Sequence, residues 1–91
     1  MDMSYYHNFI RLVQIGNMTA TAAQLHLTQP ALSKQVKCLE AEFGTPLLAI
    51  KRGQRGMTLQ LTEAGRVFYE KAMQLCALES EVYKAVQQAA Y

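Results

Sequence analysis

The sequence predicts a mainly α-helical fold, in which three short helices and a β-hairpin precede one long helix. Three observations support this expectation. Apolar residues recur every three or four positions through residues 4–43, a spacing typical of amphipathic helices. Residues 47–61 instead contain two short strand-like stretches around a glycine-flanked basic segment. From Thr62 almost to the C-terminus the helical spacing returns, and no proline interrupts it.

Length and composition limit the class of protein. With 91 residues, of which 51% are hydrophobic, the chain can form one small folded domain but not a large enzyme cleft. No apolar run approaches the roughly 20 residues of a membrane span, and the N-terminus lacks a signal-peptide pattern. We therefore expect a cytoplasmic protein with no membrane association.

The first helix is predicted over residues 4–15. Its apolar residues follow a 3-1-3 spacing, which places them on one face of an amphipathic helix. Gly16 then supplies the left-handed conformation that often ends a helix. The residues of the predicted buried face are Tyr6, Phe9, Ile10 and Val13.

The second helix is expected to follow directly, with Asn17 or Thr19 as its N-cap. Together with Thr21, these residues lie near the positive end of the helix, where a DNA phosphate would be favourable. Capping and phosphate binding explain the three polar residues equally well. The residues expected to face inward are Met18, Ala22 and Leu25.

A third helix is predicted over residues 29–43, after a tight turn at residues 27–28. Thr28 can cap this helix through its hydroxyl oxygen. Pro30 suits the first turn, because its missing N–H would have no intrahelical partner there. The apolar stripe expected to be buried consists of Leu32, Val36, Leu39 and Phe43.

The opposite face of the third helix is polar and basic, and it carries no acid before Glu40. Gln, Ser and Lys side chains can all form hydrogen bonds with base edges or phosphates. A short helix, a tight turn and a longer helix of this kind are typical of a helix-turn-helix that binds the DNA major groove. An ordinary solvated face is the alternative, since exposed Lys and Gln are common. The side chains concerned are Gln29, Ser33, Lys34 and Lys37.

The positive charge is concentrated on this helix and the segment after it. Residues 28–55 hold five basic and two acidic residues, a net charge of +3, whereas the remainder of the chain has four basic and five acidic residues, a net charge of −1. Such an uneven distribution favours a nucleic-acid partner. The five basic residues are Lys34, Lys37, Lys51, Arg52 and Arg55.

Two strands, at residues 47–50 and 57–61, are predicted to form a β-hairpin around a flexible tip at residues 51–56. Together with the three helices, this hairpin would complete a winged helix-turn-helix. Basic side chains on such a wing can reach the minor groove or the flanking phosphates, although a solvated hairpin is the alternative. The wing residues expected to contact DNA are Lys51, Arg52, Gln54 and Arg55.

The final helix is predicted to begin after the N-cap Thr62, with Glu63 in its first turn. At 1.5 Å per residue it would be about 40 Å long, more than a domain of this size needs. We expect its apolar band to pair with a second copy of the chain, or alternatively with a domain outside this chain. The residues expected in the dimer interface are Phe68, Leu75, Leu78, Val82 and Val86.

The sequence shows no cluster typical of catalysis or metal binding. Cys38 and Cys76 have no His or Cys at metal-ligand spacing, so we interpret them as free structural thiols, with a redox switch as the alternative. His7 and His26 also lack neighbouring ligands. The chain has neither a phosphate-binding glycine motif nor clustered carboxylates. We therefore expect a protein that is not an enzyme and that needs no metal or cofactor.

Three segments resemble the N-terminal DNA-binding domain of LysR-type transcriptional regulators. The string QPALSKQV at residues 29–36, followed by Leu39-Glu40, is similar to the family's most specific segment. The string LTEAG at residues 61–65 is similar to the start of the family's linker helix, and GNMT at residues 16–19 stands where Gly-Ser-Phe-Thr is usual. The resemblance covers essentially the whole chain. The sequence departs from the family at three positions: Thr21 stands where Ala is usual, Leu48 where Phe is common and Ile50 where Arg is frequent. Its wing is also a few residues longer than is typical.

The resemblance implies a bacterial regulator that binds an interrupted palindrome in double-stranded DNA as a homodimer. Residues 1–61 would form the DNA-binding domain, with residues 29–43 as recognition helix, and residues 62–91 the linker and dimerisation helix. The full-length protein would add an effector domain that binds a small molecule, and it would form higher oligomers. The expected contacts with base edges and nearby backbone come from Gln29, Pro30, Ala31, Ser33 and Lys34, and those with phosphates from Asn17, Thr19, Thr28 and Lys37.

One other function is compatible with the sequence. The chain could be a helical protein-interaction or dimerisation module, with the final helix as its binding surface and no specific DNA binding. That alternative predicts a dimer without salt-sensitive binding to DNA.

Overall fold

The computed structural model describes residues 3–53 and 56–90, apart from the side chain of Met57. The described part of the chain is mainly helical with one antiparallel hairpin, as the sequence predicts. In chain order, its elements are α1 (Met3–Ile15), α2 (Met18–Gln24), α3 (Gln29–Phe43), β1 (Leu48–Gly53), β2 (Gly56–Leu61) and α4 (Glu63–Ala89).

Helix α1 lies at the centre of the helical core, in contact with α2, α3 and α4. It ends at Ile15, and Gly16 has the predicted left-handed conformation, with a φ of 78°. Leu12 is fully buried, whereas Val13, which was expected on the buried face, is half-buried. Because α1 is covered on several sides, its buried arc is wider than the single stripe that the spacing predicts.

The aromatic part of the core is organised around Phe68 in α4. Its ring centroid lies 5.1 Å from that of Tyr6, 5.0 Å from that of Phe9 and 5.3 Å from that of Phe43. Phe68 is therefore buried against its own chain, and its expected role in a dimer interface is wrong. Phe43 is 47% exposed rather than buried, because it is the last residue of α3 and lies at the rim of this cluster.

The hairpin extends further than predicted. Its strands pair in register from Leu48 opposite Leu61 to Gly53 opposite Gly56, so Lys51 and Arg52 lie in β1 and not in a flexible tip. Leu47, expected in the first strand, precedes β1 and is buried.

Helix α4 begins in the core and continues beyond it. Thr62 is its N-cap, as predicted: the Thr62 hydroxyl oxygen accepts a hydrogen bond from the Gly65 N–H at 2.9 Å. Ala72 is buried and Cys76 is half-buried, so the core extends more than three turns past the domain boundary expected at residue 61. All residues from 77 to 90 are exposed. No helix within the described residues is both long and apolar enough to cross a membrane.

Candidate nucleic-acid interface

The start of α3 has the capped geometry that the sequence predicts. Thr28 is extended, and its Oγ1 accepts a hydrogen bond from the Ala31 N–H at 3.2 Å, while Pro30 occupies the first turn. The preceding turn reverses the chain through His26, which has a φ of 57°. These features fix where α3 begins and how its first turn is oriented relative to α2.

The predicted two-sided character of α3 is confirmed apart from Phe43. Leu32, Val36 and Leu39 are buried against the rest of the domain. On the other side, the residues predicted to contact DNA form one accessible surface at the N-terminal half of the helix. Gln29, Pro30, Lys34 and Lys37 are exposed, and Ala31 and Ser33 are half-buried.

The basic residues on this side of the domain are not neutralised within the described part of the chain. No carboxylate among the described residues pairs with the lysines of α3, Lys34 and Lys37, or with the basic residues of β1, Lys51 and Arg52. By contrast, Arg66 in α4 forms ion pairs with Glu63 and Glu70. The cations of α3 and the wing are therefore available to an anionic partner, as are Arg11, Lys71 and Lys84, which also form no ion pair among the described residues.

The start of α2 lies beside the start of α3. Asn17 is the N-cap of α2, and its Oδ1 accepts from the Ala20 N–H at 2.8 Å. The Thr19 hydroxyl donates to Gln29 Oε1 at 3.2 Å, which links the two helix starts. Thr21 is fully buried and donates to the Asn17 carbonyl at 2.7 Å, so its expected access to a phosphate is wrong.

An open depression of about 280 Å³ separates the helix starts from the wing. Gln29 and Ser33 line it on the helical side, and Ile50 lines it on the wing. Arg52 lies two residues beyond Ile50 on the same strand face, whereas Lys51 lies on the opposite face. Gln54 and Arg55, which were also predicted to contact DNA, lie outside the described residues.

A second candidate surface runs along the distal half of α4. Leu78, Val82 and Val86 recur every four residues and are 55–62% exposed, so they form one apolar stripe, here called the α4 stripe. Leu75, at its inner end, is half-buried against the core. Next to it, an apolar groove of about 450 Å³ passes between α4 and the end of α3.

The two cysteines are free and differ in accessibility. Cys38 is exposed on α3, whereas Cys76 is half-buried on α4. Burial raises the pKa of the Cys76 thiol, and the Glu79 carboxylate raises it further. Among the described residues, no group of three or more His, Cys, Asp or Glu side chains could hold a metal ion.

Sequence comparison relates the chain to bacterial regulators. Residues 4–66 match the family model described as bacterial regulatory helix-turn-helix protein, lysR family. The transcriptional regulator BudR of Raoultella terrigena is 44% identical over 78 residues, which cover 86% of this chain and 26% of BudR. CatR of Pseudomonas putida is 38% identical over 80 residues, 88% of this chain and 26% of CatR. The chain thus spans about a quarter of the length of these curated relatives.

Comparison with solved structures gives the same relationship. The CbnR DNA-binding domain, in its crystal structure with DNA, matches over all of both chains with a TM-score of 0.86 and 35% identity. The BenM DNA-binding domain in complex with benA site 1 DNA matches 99% of this chain and 97% of its own length, with a TM-score of 0.85 and 30% identity. Full-length CbnR matches 96% of this chain and 29% of its own length, with a TM-score of 0.81 and 34% identity.

Proposed function

Because the chain belongs to the LysR family of bacterial regulatory helix-turn-helix proteins, we propose that it binds double-stranded DNA in a sequence-specific manner as part of a transcriptional regulator. The observation that carries this proposal is the free face of α3. Its start is capped and joined to α2, its basic residues have no acidic partner among the described residues, and its other face is buried. A helix presented in this way can enter the major groove without losing core contacts.

We assign the base-edge contacts to the N-terminal half of α3. The amide of Gln29 and the ammonium of Lys34 can bond base edges, and the Ser33 hydroxyl can donate or accept. Pro30 and Ala31 offer apolar surface to bases and sugars next to these groups. These contacts determine which sequence is preferred.

Phosphate contacts supply most of the affinity and its salt dependence. Lys37 is exposed further along α3 and suits this role. Thr28 and Asn17 use their side-chain oxygens as caps, but each keeps a hydrogen, on Oγ1 and Nδ2 respectively, that can be donated to a phosphate. On the wing, Ile50 lines the depression beside α3, and Arg52 lies on the same face of strand β1. Arg52 is therefore favoured over Lys51 for contacts with the DNA groove that flanks the recognition helix.

We further propose a homodimer formed through the α4 stripe. The stripe is exposed and adjoins the core, so a second copy could cover it and place two recognition helices symmetrically. Residues 1–61 would then supply DNA contacts and residues 62–91 the dimer contacts, with the first turns of α4 shared by both. An interrupted palindrome follows from such two-fold symmetry.

The whole protein is expected to be a regulator and not an enzyme, as its relatives are regulators by name. We propose that it acts in the cytoplasm, where promoter DNA lies. A small-molecule effector and higher oligomers would depend on sequence beyond this chain.

A salt titration combined with site selection tests the proposal. Binding to random-sequence duplexes would be measured between 50 and 200 mM salt, and preferred sites would then be selected from the same pool. We expect affinity to fall steeply with salt and a two-fold symmetric motif to be enriched. A folded dimer that binds no DNA would favour the alternative of a protein-interaction module.

Two variants separate sequence preference from general affinity. Gln29→Ala should lose about 1–3 kcal/mol of discrimination at one base position in each half-site. Lys37→Ala should weaken binding to all sequences and reduce the salt slope by about one. Equal loss on all sequences in the Gln29 variant would show that this residue does not contact a base edge.

A further inference from the structure

The hydrogen bond between Thr19 and Gln29 determines which part of the Gln29 amide is available to DNA. The Thr19 hydroxyl donates to Gln29 Oε1 at 3.2 Å, although ten residues separate the two in sequence. Oε1 is therefore held towards α2. The Nε2 amino group, with its two hydrogens, has no hydrogen-bond partner within the described residues.

The geometry points to Thr19 as a positioning residue that sets the base preference of Gln29. This inference rests on the proposed function, since it concerns how the same recognition surface distinguishes bases. A free glutamine favours adenine, because it can accept from N6 through Oε1 and donate to N7 through Nε2. A glutamine whose oxygen is held by Thr19 offers its amino group first. That donor is opposed by the N6 amino group of adenine and the N4 amino group of cytosine, whereas guanine O6 and thymine O4 accept from it. We propose that Gln29 selects a base with a keto oxygen in the major groove, guanine or thymine, over adenine or cytosine.

The position of the pair supports this assignment. Thr19 and Gln29 both line the open depression beside the wing, and both are exposed, so no core contact requires their hydrogen bond. The bond also uses the Thr19 hydroxyl hydrogen, which a phosphate oxygen would otherwise need. Thr19 is therefore better placed to orient Gln29 than to bind a phosphate itself. We assign it this positioning role in place of the phosphate contact expected from the sequence.

The test uses three variants of the chain and compares base preference instead of affinity. The position contacted by Gln29 is first located as the one at which Gln29→Ala loses discrimination. All four base pairs are then placed there in the selected site, and binding of the native chain, Thr19→Val and Thr19→Ser is measured. Valine has the shape and β-branching of threonine but no hydroxyl, whereas serine keeps the hydroxyl.

We expect the native chain to prefer guanine or thymine on the contacted strand. Thr19→Val should reduce the preference for keto over amino bases by at least about fivefold, because Oε1 is released to accept from an amino group. Thr19→Ser should retain the native preference. Thermal unfolding would confirm that both variants are folded.

Three results would overturn the inference while leaving the proposed function intact. These are a native preference for adenine or cytosine, an unchanged preference in Thr19→Val, and an equal loss of affinity for all four base pairs in that variant. The last would identify Thr19 as a phosphate contact. Absence of any sequence preference in the native chain would overturn the proposed function as well, so the two failures are distinguishable.

Discussion

The α-carbon of Gly65, in the first turn of α4, lies directly against the backbone carbonyl of Leu47. A Cβ added at Gly65 would fall on the Leu47 carbonyl oxygen and within 2.8 Å of its carbonyl carbon. The same carbonyl accepts a hydrogen bond from the Thr62 N–H at 3.1 Å, and the Thr62 hydroxyl donates to the Pro46 carbonyl at 2.7 Å. The start of α4 is therefore held against the segment that leads into the wing.

This close approach predicts that Gly65→Ala destabilises the domain. The obstacle is backbone, which cannot rotate away as a side chain could, so α4 or residues 46–47 must shift. We expect a loss of at least about 2 kcal/mol in the free energy of unfolding, measured by urea denaturation.

Gly53→Ala is the matched control for this substitution. Gly53 is exposed, and among the described residues its added Cβ would meet nothing closer than the Gly56 carbonyl oxygen at 3.9 Å. Its stability should change by less than about 0.5 kcal/mol. Comparable losses in the two variants would contradict the role assigned to the contact with Leu47.

A second contact fixes the same segment from the side of α3. The Glu40 carboxylate accepts hydrogen bonds from the Leu47 N–H at 2.7 Å and the Leu48 N–H at 3.3 Å. Glu40→Gln keeps the shape of the side chain but replaces a charge-assisted acceptor with a neutral one, so we expect a loss of about 1 kcal/mol. Urea denaturation would measure it, with the exposed Glu42→Gln as control. Equal stability of the two variants would show that the bonds to the wing contribute nothing measurable.

These contacts also show where sequence reasoning reached its limit. The caps at Thr28 and Thr62 follow from local chemistry, so the sequence predicted these two helix starts correctly. For α2 it offered Asn17 or Thr19, and the structure has Asn17. Glu40 and Gly65 act on a segment distant in sequence, and neither spacing nor charge indicates such contacts. Their only signal was the family resemblance, whose strings contain both residues without assigning them a role.

The candidate site follows the same pattern: its local features were predictable from the sequence, and its contacts between distant residues were not. The buried and exposed faces of α3 follow from a period of 3.6 residues, and the structure confirms them up to Leu39. The link from Thr19 to Gln29 depends on how the turn at His26 brings two helix starts together, which periodicity does not describe. Phe68 has helical spacing that fits the apolar band, but the tertiary fold turns it towards the core of its own chain.

The two thiols should differ in reactivity. Alkylation requires the thiolate, and burial with the nearby Glu79 carboxylate raises the pKa of Cys76, so its thiolate fraction at pH 7.5 is lowered. Cys76 should therefore react with iodoacetamide at least about threefold more slowly than the exposed Cys38. Peptide mapping of a time course would measure both rates, and urea should abolish the difference. Equal rates in the folded protein would contradict this prediction.

The α4 stripe predicts a dimer that one charge on the correct face should disrupt. Val82 is 57% exposed at the centre of the stripe, and a carboxylate there would be buried between two copies without a partner. Val82→Asp should raise the dimer Kd at least about tenfold, equivalent to about 1.4 kcal/mol, as measured by sedimentation. Gln87→Asp adds the same charge about 140° around the helix and should leave the dimer intact. If both variants dissociate equally, the added charge and not its position on the α4 stripe explains the effect. If the native chain is monomeric, the homodimer is wrong and the α4 stripe would instead contact a domain or protein outside this chain.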